Sequence, residues 1–241
     1  MAKKIIKEGA VVKERKTTPL LEDPNALLDR LTAKDSLLVR YRNPLLIALG
    51  LVVAAIAALV GYRFYLNSQD NDAQPYLFPA VNYFEADSLQ KALQGDGTND
   101  GFTTLADGEY GATKTGNLAN FYAGVAYLKD GKFDDAIQRL KDFSSSDLLL
   151  QARAYALIGD AYLEKKAVKE AIEYYQKAAN YKPNKHFTPT YLMKLAIAYE
   201  ADKNYTAAIG TYDEIVEKYF DSPEAPNARK YKSRAEGLAG N

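Results

Sequence analysis

Three segments of this 241-residue chain repeat one pattern of small and large residues, and this repeat constrains the fold more than any other feature. The segments read GVAYLKDGKFDDAIQRLKDF, GDAYLEKKAVKEAIEYYQKA and AIAYEADKNYTAAIGTYDEI, and they begin at Gly124, Gly159 and Ala196. The period is therefore 35 residues and then 37 residues. A period of roughly 20 to 50 residues is the signature of stacked units, none of which buries its apolar face alone. The sequence thus predicts one continuous core shared by stacked copies.

Each copy is predicted to be a pair of packed helices. A small residue in the first helix and another in the second let the two backbones approach, and an aromatic residue or leucine fills the space beside them. The small residues are Gly124 and Ala136, Gly159 and Ala171, and Ala196 and Ala208. The turns between the helices read KDGKF, EKKAV and ADKNY.

The central copy resembles the tetratricopeptide repeat (TPR) family at the positions that define its roughly 34-residue unit. The matching residues are Gly159, Tyr162, Ala171, Tyr175, Ala178 and Pro183. The flanking copies depart from the family pattern, since Phe143 and Ile215 stand where a small alanine is usual and no proline closes either copy. The resemblance implies an all-α, right-handed superhelix of three repeats. A more polar helix that starts near Ser222 and Pro223 is predicted to cap it.

A run of 18 uncharged residues, LLIALGLVVAAIAALVGY, extends from Leu45 to Tyr62. At 1.5 Å per residue it is just long enough to cross a hydrocarbon core of about 30 Å. Aromatic residues bracket the run, as expected at membrane interfaces. We therefore predict one transmembrane helix, the alternative being a buried core helix. The segment NSQDNDAQ that follows offers no convincing small-x-small cleavage site, which favours a retained anchor over a cleaved signal peptide.

Charges around this run predict its direction. Basic residues precede it at Arg30, Lys34, Arg40 and Arg42, whereas after Arg63 the next one is Lys91. The positive-inside rule then places the N-terminus in the cytosol and the repeats across the membrane, in the periplasm if the chain is bacterial. The formal net charge is zero, and no basic surface for nucleic acid is predicted.

The predicted organisation has five parts. They are a cytosolic tail (1–43), the transmembrane helix (44–66), upstream helices and a linker (67–116), three TPR repeats (117–222) and the capping helix (223–241). The tail has Asp23 as a possible N-cap of a short amphipathic helix, and a solvated tail is the alternative. Small residues in the span, Gly50, Ala54 and Ala58, would let another membrane helix approach closely.

The residue inventory predicts no enzyme. The chain has no cysteine and one histidine, His186, so neither a thiolate zinc site nor a Ser/His/Asp triad is expected. Carboxylates such as Asp134 and Asp135 are predicted on solvated outer helix faces beside basic residues. The stretch GDGTND, residues 95–100, lacks the complete calcium-loop pattern and is interpreted as a turn. We expect no catalytic residue, metal or cofactor.

The TPR resemblance implies a binding groove on the concave face formed by the first helix of each pair. The residues that this resemblance places there are Leu118, Phe121, Val125, Leu128, Arg153, Asp160, Leu163, Met193, Ile197 and Glu200. Phe121 and Val125 occupy two positions of the Lys/Asn carboxylate clamp found in chaperone-binding TPRs, which disfavours capture of a free C-terminus. An amphipathic helix or an extended unfolded segment suits such a groove. Alternatively, these residues cover the upstream helices of the same chain.

The order of tail, anchor, upstream segment GFTTLADGEYGATKTGNLANFYAGVAYL and three repeats resembles the YfgM-like family of membrane-anchored TPR proteins in bacterial envelopes. This resemblance implies a non-enzymatic accessory subunit of the Sec translocon in the bacterial inner membrane. Its partners would be translocon subunits, a membrane-anchored periplasmic folding factor and unfolded client proteins. The alternative is an envelope scaffold for outer-membrane or cell-wall assembly machinery.

Overall fold

The structure is a computed structural model that describes residues 41–240, and the described residues form ten α-helices and no strand. The helices are α1 (Arg42–Glu85), α2 (Leu89–Gln94), α3 (Phe102–Asp107), α4 (Lys114–Lys129), α5 (Phe133–Asp142), α6 (Leu150–Glu164), α7 (Val168–Asn180), α8 (Thr188–Ala201), α9 (Tyr205–Lys218) and α10 (Ala225–Ala239). The all-α prediction is confirmed. The predicted amphipathic helix of the tail lies outside the described residues.

Three helix pairs correspond to the three sequence copies: α4 with α5, α6 with α7, and α8 with α9. From α2 onward each helix packs against the next along the chain, and α10 packs against α9 in the place predicted for the capping helix. The first helices of neighbouring repeats also contact each other; α4, for example, contacts α6. This consecutive packing is the arrangement expected of stacked repeats.

Glycine sets how closely the helices of a pair approach. A Cβ atom added at Gly124 would lie 2.5 Å from Cγ of Leu140, and one at Gly159 would lie 2.6 Å from Cε1 of Tyr175. Carbon atoms in contact normally lie about 3.5–4.0 Å apart. The small residue predicted in the first helix therefore makes room for the large side chain of the second helix.

The first helix of every repeat ends at an equivalent turn with a left-handed residue. That residue is Gly131 in the first copy, Lys166 in the second and Lys203 in the third, with φ values of 75°, 60° and 60°. Glycine takes this conformation without steric cost, whereas a residue with a Cβ is strained there. The repeated turn therefore reverses the chain at the same point of each unit.

The upstream helices supply the core at the N-terminal end of the stack. Leu93 of α2 and Phe102 of α3 are fully buried, and they pack with Ala119 and Ala123 of α4. Phe84 near the end of α1 joins the same cluster, with its ring centroid 6.3 Å from that of Phe102. The first repeat therefore buries one face of α4 against upstream helices of its own chain.

The N-terminal part of α1 carries the apolar run. An 18-residue window of α1 has a mean hydropathy of 2.6 and none of it is buried, so this helix is long and apolar enough to cross a membrane. The described chain divides into two units at Arg63. Helix α1 itself ends only at Glu85 and includes Pro75 and Pro79. The helix thus continues past residue 66, the predicted end of the membrane span, into the region 67–116 predicted to hold separate upstream helices.

Candidate functional site

The first helices of the repeats line two adjoining cavities, of about 600 Å³ and about 340 Å³. We call the pair the groove. Asp160 of α6 and Lys194 of α8 line both cavities, so they mark the point where the two meet. The larger cavity is also lined by Leu128, Lys129, Gly131, Phe133, Leu163, Glu164, Tyr175 and Ile197, and the smaller by Leu149, Arg153, Ala156, Leu157, Phe187, Thr190 and Tyr191.

An ion pair lies at the centre of the groove. Nζ of Lys194 lies 2.8 Å from Oδ1 of Asp160, and the hydroxyl of Tyr175 donates to the same oxygen at 2.7 Å. Burial and the neighbouring Asp160 carboxylate raise the pKa of Tyr175. The tyrosine therefore stays protonated, and it holds the carboxylate in place as a hydrogen-bond donor.

The next repeat contains the same kind of network. The hydroxyl of Tyr212 donates to Glu200 at 2.7 Å, and a guanidinium nitrogen of Arg234 on α10 lies 2.6 Å from the other oxygen of that carboxylate. Burial and the hydrogen bond to Glu200 raise the pKa of Tyr212. In both networks the base follows the carboxylate by 34 residues, about one repeat. A carboxylate, a tyrosine and a base thus tie α6 to α8, and a second such set ties α8 to α10.

The rest of the groove surface is largely apolar. Leu128, Phe133, Leu163 and Ile197 line the larger cavity, and the side chain of Ile197 is 40% exposed. Arg153 in the smaller cavity is exposed and forms no ion pair within residues 41–240. The groove therefore offers apolar contacts on both sides of a central ion pair, together with an unpaired cation.

The groove residues predicted in the first copy lie mainly in the core. Phe121 is only 6% exposed, and its ring centroid lies 5.2 Å from that of Phe143. Leu118, Val125 and Leu128 are partly buried against the same cluster, which joins α4, α5 and α6. Of these four predicted residues, Leu128 also lines the groove. The side chains are therefore covered by the following helices, and the upstream helices cover a different face of α4.

The other predicted residues are placed in three ways. Arg153, Asp160, Leu163 and Ile197 line the groove. Met193 is partly buried against the core of the last two repeats, and Glu200 belongs to the network with Tyr212 and Arg234. In the apolar run, Gly50, Ala54 and Ala58 are exposed, and nothing lies within 4 Å of a Cβ atom added at Gly50.

Sequence reasoning missed the partners of the groove carboxylates. Lys194 and Arg234 were not assigned to the face, and the buried tyrosines were assigned to packing alone. The signal was the repeat itself, because a residue one period after a groove carboxylate stands on the neighbouring first helix. Searching for a base 34 residues after Asp160 and Glu200 would have found both.

The GDGTND stretch forms the turn between α2 and α3. Asp96 accepts hydrogen bonds from the backbone N–H groups of Thr98 and Asn99, at 2.9 Å and 2.7 Å, and from the hydroxyl of Tyr83 at 2.6 Å. These hydrogen bonds hold the pKa of Asp96 well below its usual range. Within the described residues no group of three or more His, Asp or Glu side chains is placed to hold a metal ion.

Comparison with known families identifies the repeats. A tetratricopeptide repeat model matches residues 123–185, and a second tetratricopeptide repeat model matches residues 191–222. No curated protein matches the chain.

Two solved structures support the fold. Both are crystal structures of a Podosopora anserina protein described as a kinesin light chain with nearly identical TPR-like repeats. Each is 16% identical in sequence to this chain and superposes on it with a TM-score of 0.50. The superposition covers 73% of this chain and 87% of the kinesin light chain structure. At this identity the likeness concerns the fold alone.

The chain thus has an all-helical, TPR-like fold with tetratricopeptide repeats over residues 123–185 and 191–222, and an apolar N-terminal helix that is compatible with a single-pass membrane anchor. Repeats of this kind bind other proteins and are typically non-enzymatic interaction scaffolds.

Proposed function

We propose that this protein is a membrane-anchored accessory subunit of the bacterial Sec translocon that contacts polypeptides as they emerge in the periplasm. The observation that carries the proposal is the groove, a largely apolar surface built by successive first helices in a chain that also carries an apolar helix of membrane-spanning length. An emerging polypeptide is unfolded and exposes apolar side chains. Such a groove fits short apolar segments of an extended or helical chain.

The direction of the anchor supports the same role. Basic residues cluster before the apolar run, and after Arg63 the next one is Lys91. On the positive-inside rule the repeats then lie outside the cytosol. A membrane-anchored periplasmic folding factor is the second partner that this role implies.

Two surfaces serve two partners in this proposal. The small residues of the span, Gly50, Ala54 and Ala58, form a face at which a translocon helix can pack closely. The groove receives the client segment. Ile197 is the exposed large apolar residue in its lining. Variants of the two surfaces should therefore lose different partners.

The span is tested by replacing Gly50 and Ala54 with leucine, which keeps the helix apolar but prevents close approach. We expect unchanged membrane insertion and loss of translocon subunits from the complex purified in mild detergent. The matched control replaces Val52 and Ile56 with leucine, because these residues have the same spacing but face the opposite side of the helix. Equal loss in both variants, or no translocon subunit with the unaltered protein, would contradict the proposal.

The groove is tested by Ile197→Asp. Because Ile197 is 40% exposed, a carboxylate there remains partly hydrated and the fold is expected to persist. Phe121 is unsuitable for this test, since a charge there would be buried in the core. We expect Ile197→Asp to lose client segments and to keep the translocon. If the purified partners are instead only outer-membrane or cell-wall assembly proteins, the scaffold alternative replaces the Sec role.

A further inference from the structure

A third cavity, of about 340 Å³, lies between α1 and the turn that precedes α4, away from the groove. It is lined by Arg63, Leu66, Asn67, Asp70, Ala112, Thr113 and Lys114. We infer that this cavity, which we call the anchor pocket, binds the phosphate of an anionic membrane phospholipid between Arg63 and Lys114. The inference rests on the membrane-spanning role of the apolar run and not on the groove.

Position along the chain places the anchor pocket at the membrane surface. Arg63 is the first charged residue after the apolar run, and the headgroup layer adds about 5–7 Å to each side of the hydrocarbon core. At 1.5 Å per residue, this layer takes up roughly four helical residues. Arg63, Leu66 and Asn67 therefore lie at the depth of the lipid phosphates.

The two cations of the anchor pocket are available for a ligand. Arg63 and Lys114 are both exposed, and neither forms an ion pair with a carboxylate in the part of the chain that the structure describes. Lys114 is far from Arg63 in sequence and lines the same cavity only because the chain folds back onto α1. Two cations at the depth of the phosphates favour an anionic headgroup, since each contributes about 1 kcal/mol of attraction near an anionic surface.

The carboxylate in the wall of the anchor pocket, that of Asp70, is hydrogen-bonded to Thr115. Asp70 is 7% exposed, and its Oδ1 accepts hydrogen bonds from the backbone N–H and the hydroxyl of Thr115, at 2.8 Å and 2.9 Å. It thus caps the N-terminus of α4 and fixes the position of Lys114 beside α1. With Asp70 counted, the lining residues still carry a net charge of +1, which is complementary to one phosphodiester.

The test measures lipid binding by the full-length protein in a neutral detergent. Phosphatidylglycerol or phosphatidylcholine is added, and native mass spectrometry gives the Kd of the first bound lipid. We expect tighter binding of phosphatidylglycerol, and a loss of about fivefold for Lys114→Gln or Arg63→Gln, which corresponds to about 1 kcal/mol per charge. The matched control, Lys169→Gln, removes from α7 another exposed charge that forms no ion pair among the described residues, and it should bind as the unaltered protein does.

A second variant separates the shape of the pocket from its charge. Ala112→Leu narrows the anchor pocket and keeps both cations, so it should also reduce the preference for phosphatidylglycerol. Equal affinity for the two lipids, or Lys114→Gln behaving like Lys169→Gln, would overturn the inference. So would displacement of the lipid by millimolar inorganic phosphate, which would make the pocket a site for the free ion. Co-purification of translocon subunits should not change in these variants, which separates this test from that of the proposed function.

Discussion

Replacing Gly159 with alanine tests whether close helix approach organises the repeats. The added methyl would lie 2.6 Å and 2.7 Å from two ring carbons of Tyr175. Normal contact needs about 3.5–4.0 Å, so the ring would have to retreat by about 1 Å. Tyr175 is 1% exposed and its hydroxyl is hydrogen-bonded to Asp160, so neighbouring atoms and this hydrogen bond oppose any displacement of the ring.

The expected magnitude is a balance of two effects. Overpacking a core costs about 1–3 kcal/mol, whereas alanine is better than glycine in a helix by about 1 kcal/mol. Gly159→Ala should therefore reduce the free energy of unfolding by about 0–2 kcal/mol. The matched control is Gly210→Ala in α9, where the site is exposed and nothing lies within 4 Å of the new methyl. There the helix preference acts alone, and we expect a gain of about 1 kcal/mol.

The assay is thermal unfolding of the full-length protein in detergent, followed by far-ultraviolet circular dichroism. For a chain of this size 1 kcal/mol corresponds to about 2–4 °C in Tm. Gly210→Ala should melt above the unaltered protein and Gly159→Ala at or below it. If Gly159→Ala raises Tm as much as Gly210→Ala does, the result would contradict the close contact between α6 and α7 at Gly159.

Four further predictions follow from single features. Ala171→Leu should overpack the central repeat and lower stability by about 1–3 kcal/mol in the same assay, because Ala171 is fully buried; an unchanged Tm would contradict its placement. Lys166→Gly should raise stability by about 0.5–1 kcal/mol, because glycine relieves the left-handed strain at φ 60°; a lower Tm would refute this. Arg139 holds the pKa of Asp107 below its usual range, so the stability from this pair is present above about pH 4 and is lost as the pH falls through the lowered pKa. Asp107→Asn should make acid unfolding less steep, as measured by circular dichroism against pH, and an unchanged acid transition would count against the pair. Finally, a reporter fused after Asn241 should be active only if it works outside the cytosol, and full activity of a cytosolic reporter would reverse the orientation.

Periodic features of this fold are predictable from the sequence, and contacts between distant segments are not. The helix pairs follow from residues such as Gly159 and Tyr175, because a repeat displays the same packing contact three times. The burial of Phe121 is harder to predict, since a residue on a first helix faces either the groove or the next repeat. The hydrogen bonds from Thr115 to Asp70 join residues 45 apart, and no local pattern indicates them. The TPR template likewise gave Asp160 a place on the concave face but not its partner Lys194.

Client contact at the groove is tested most directly by photocrosslinking in living cells. A photoreactive amino acid replaces Ile197 in the groove, and a control places it at Gly210, an exposed position in the second helix of the same repeat. We predict that the probe at residue 197 captures secretory polypeptides during their export, and that the probe at residue 210 does not. Equal capture at the two positions, or capture at residue 197 of outer-membrane or cell-wall assembly proteins alone, would contradict the account.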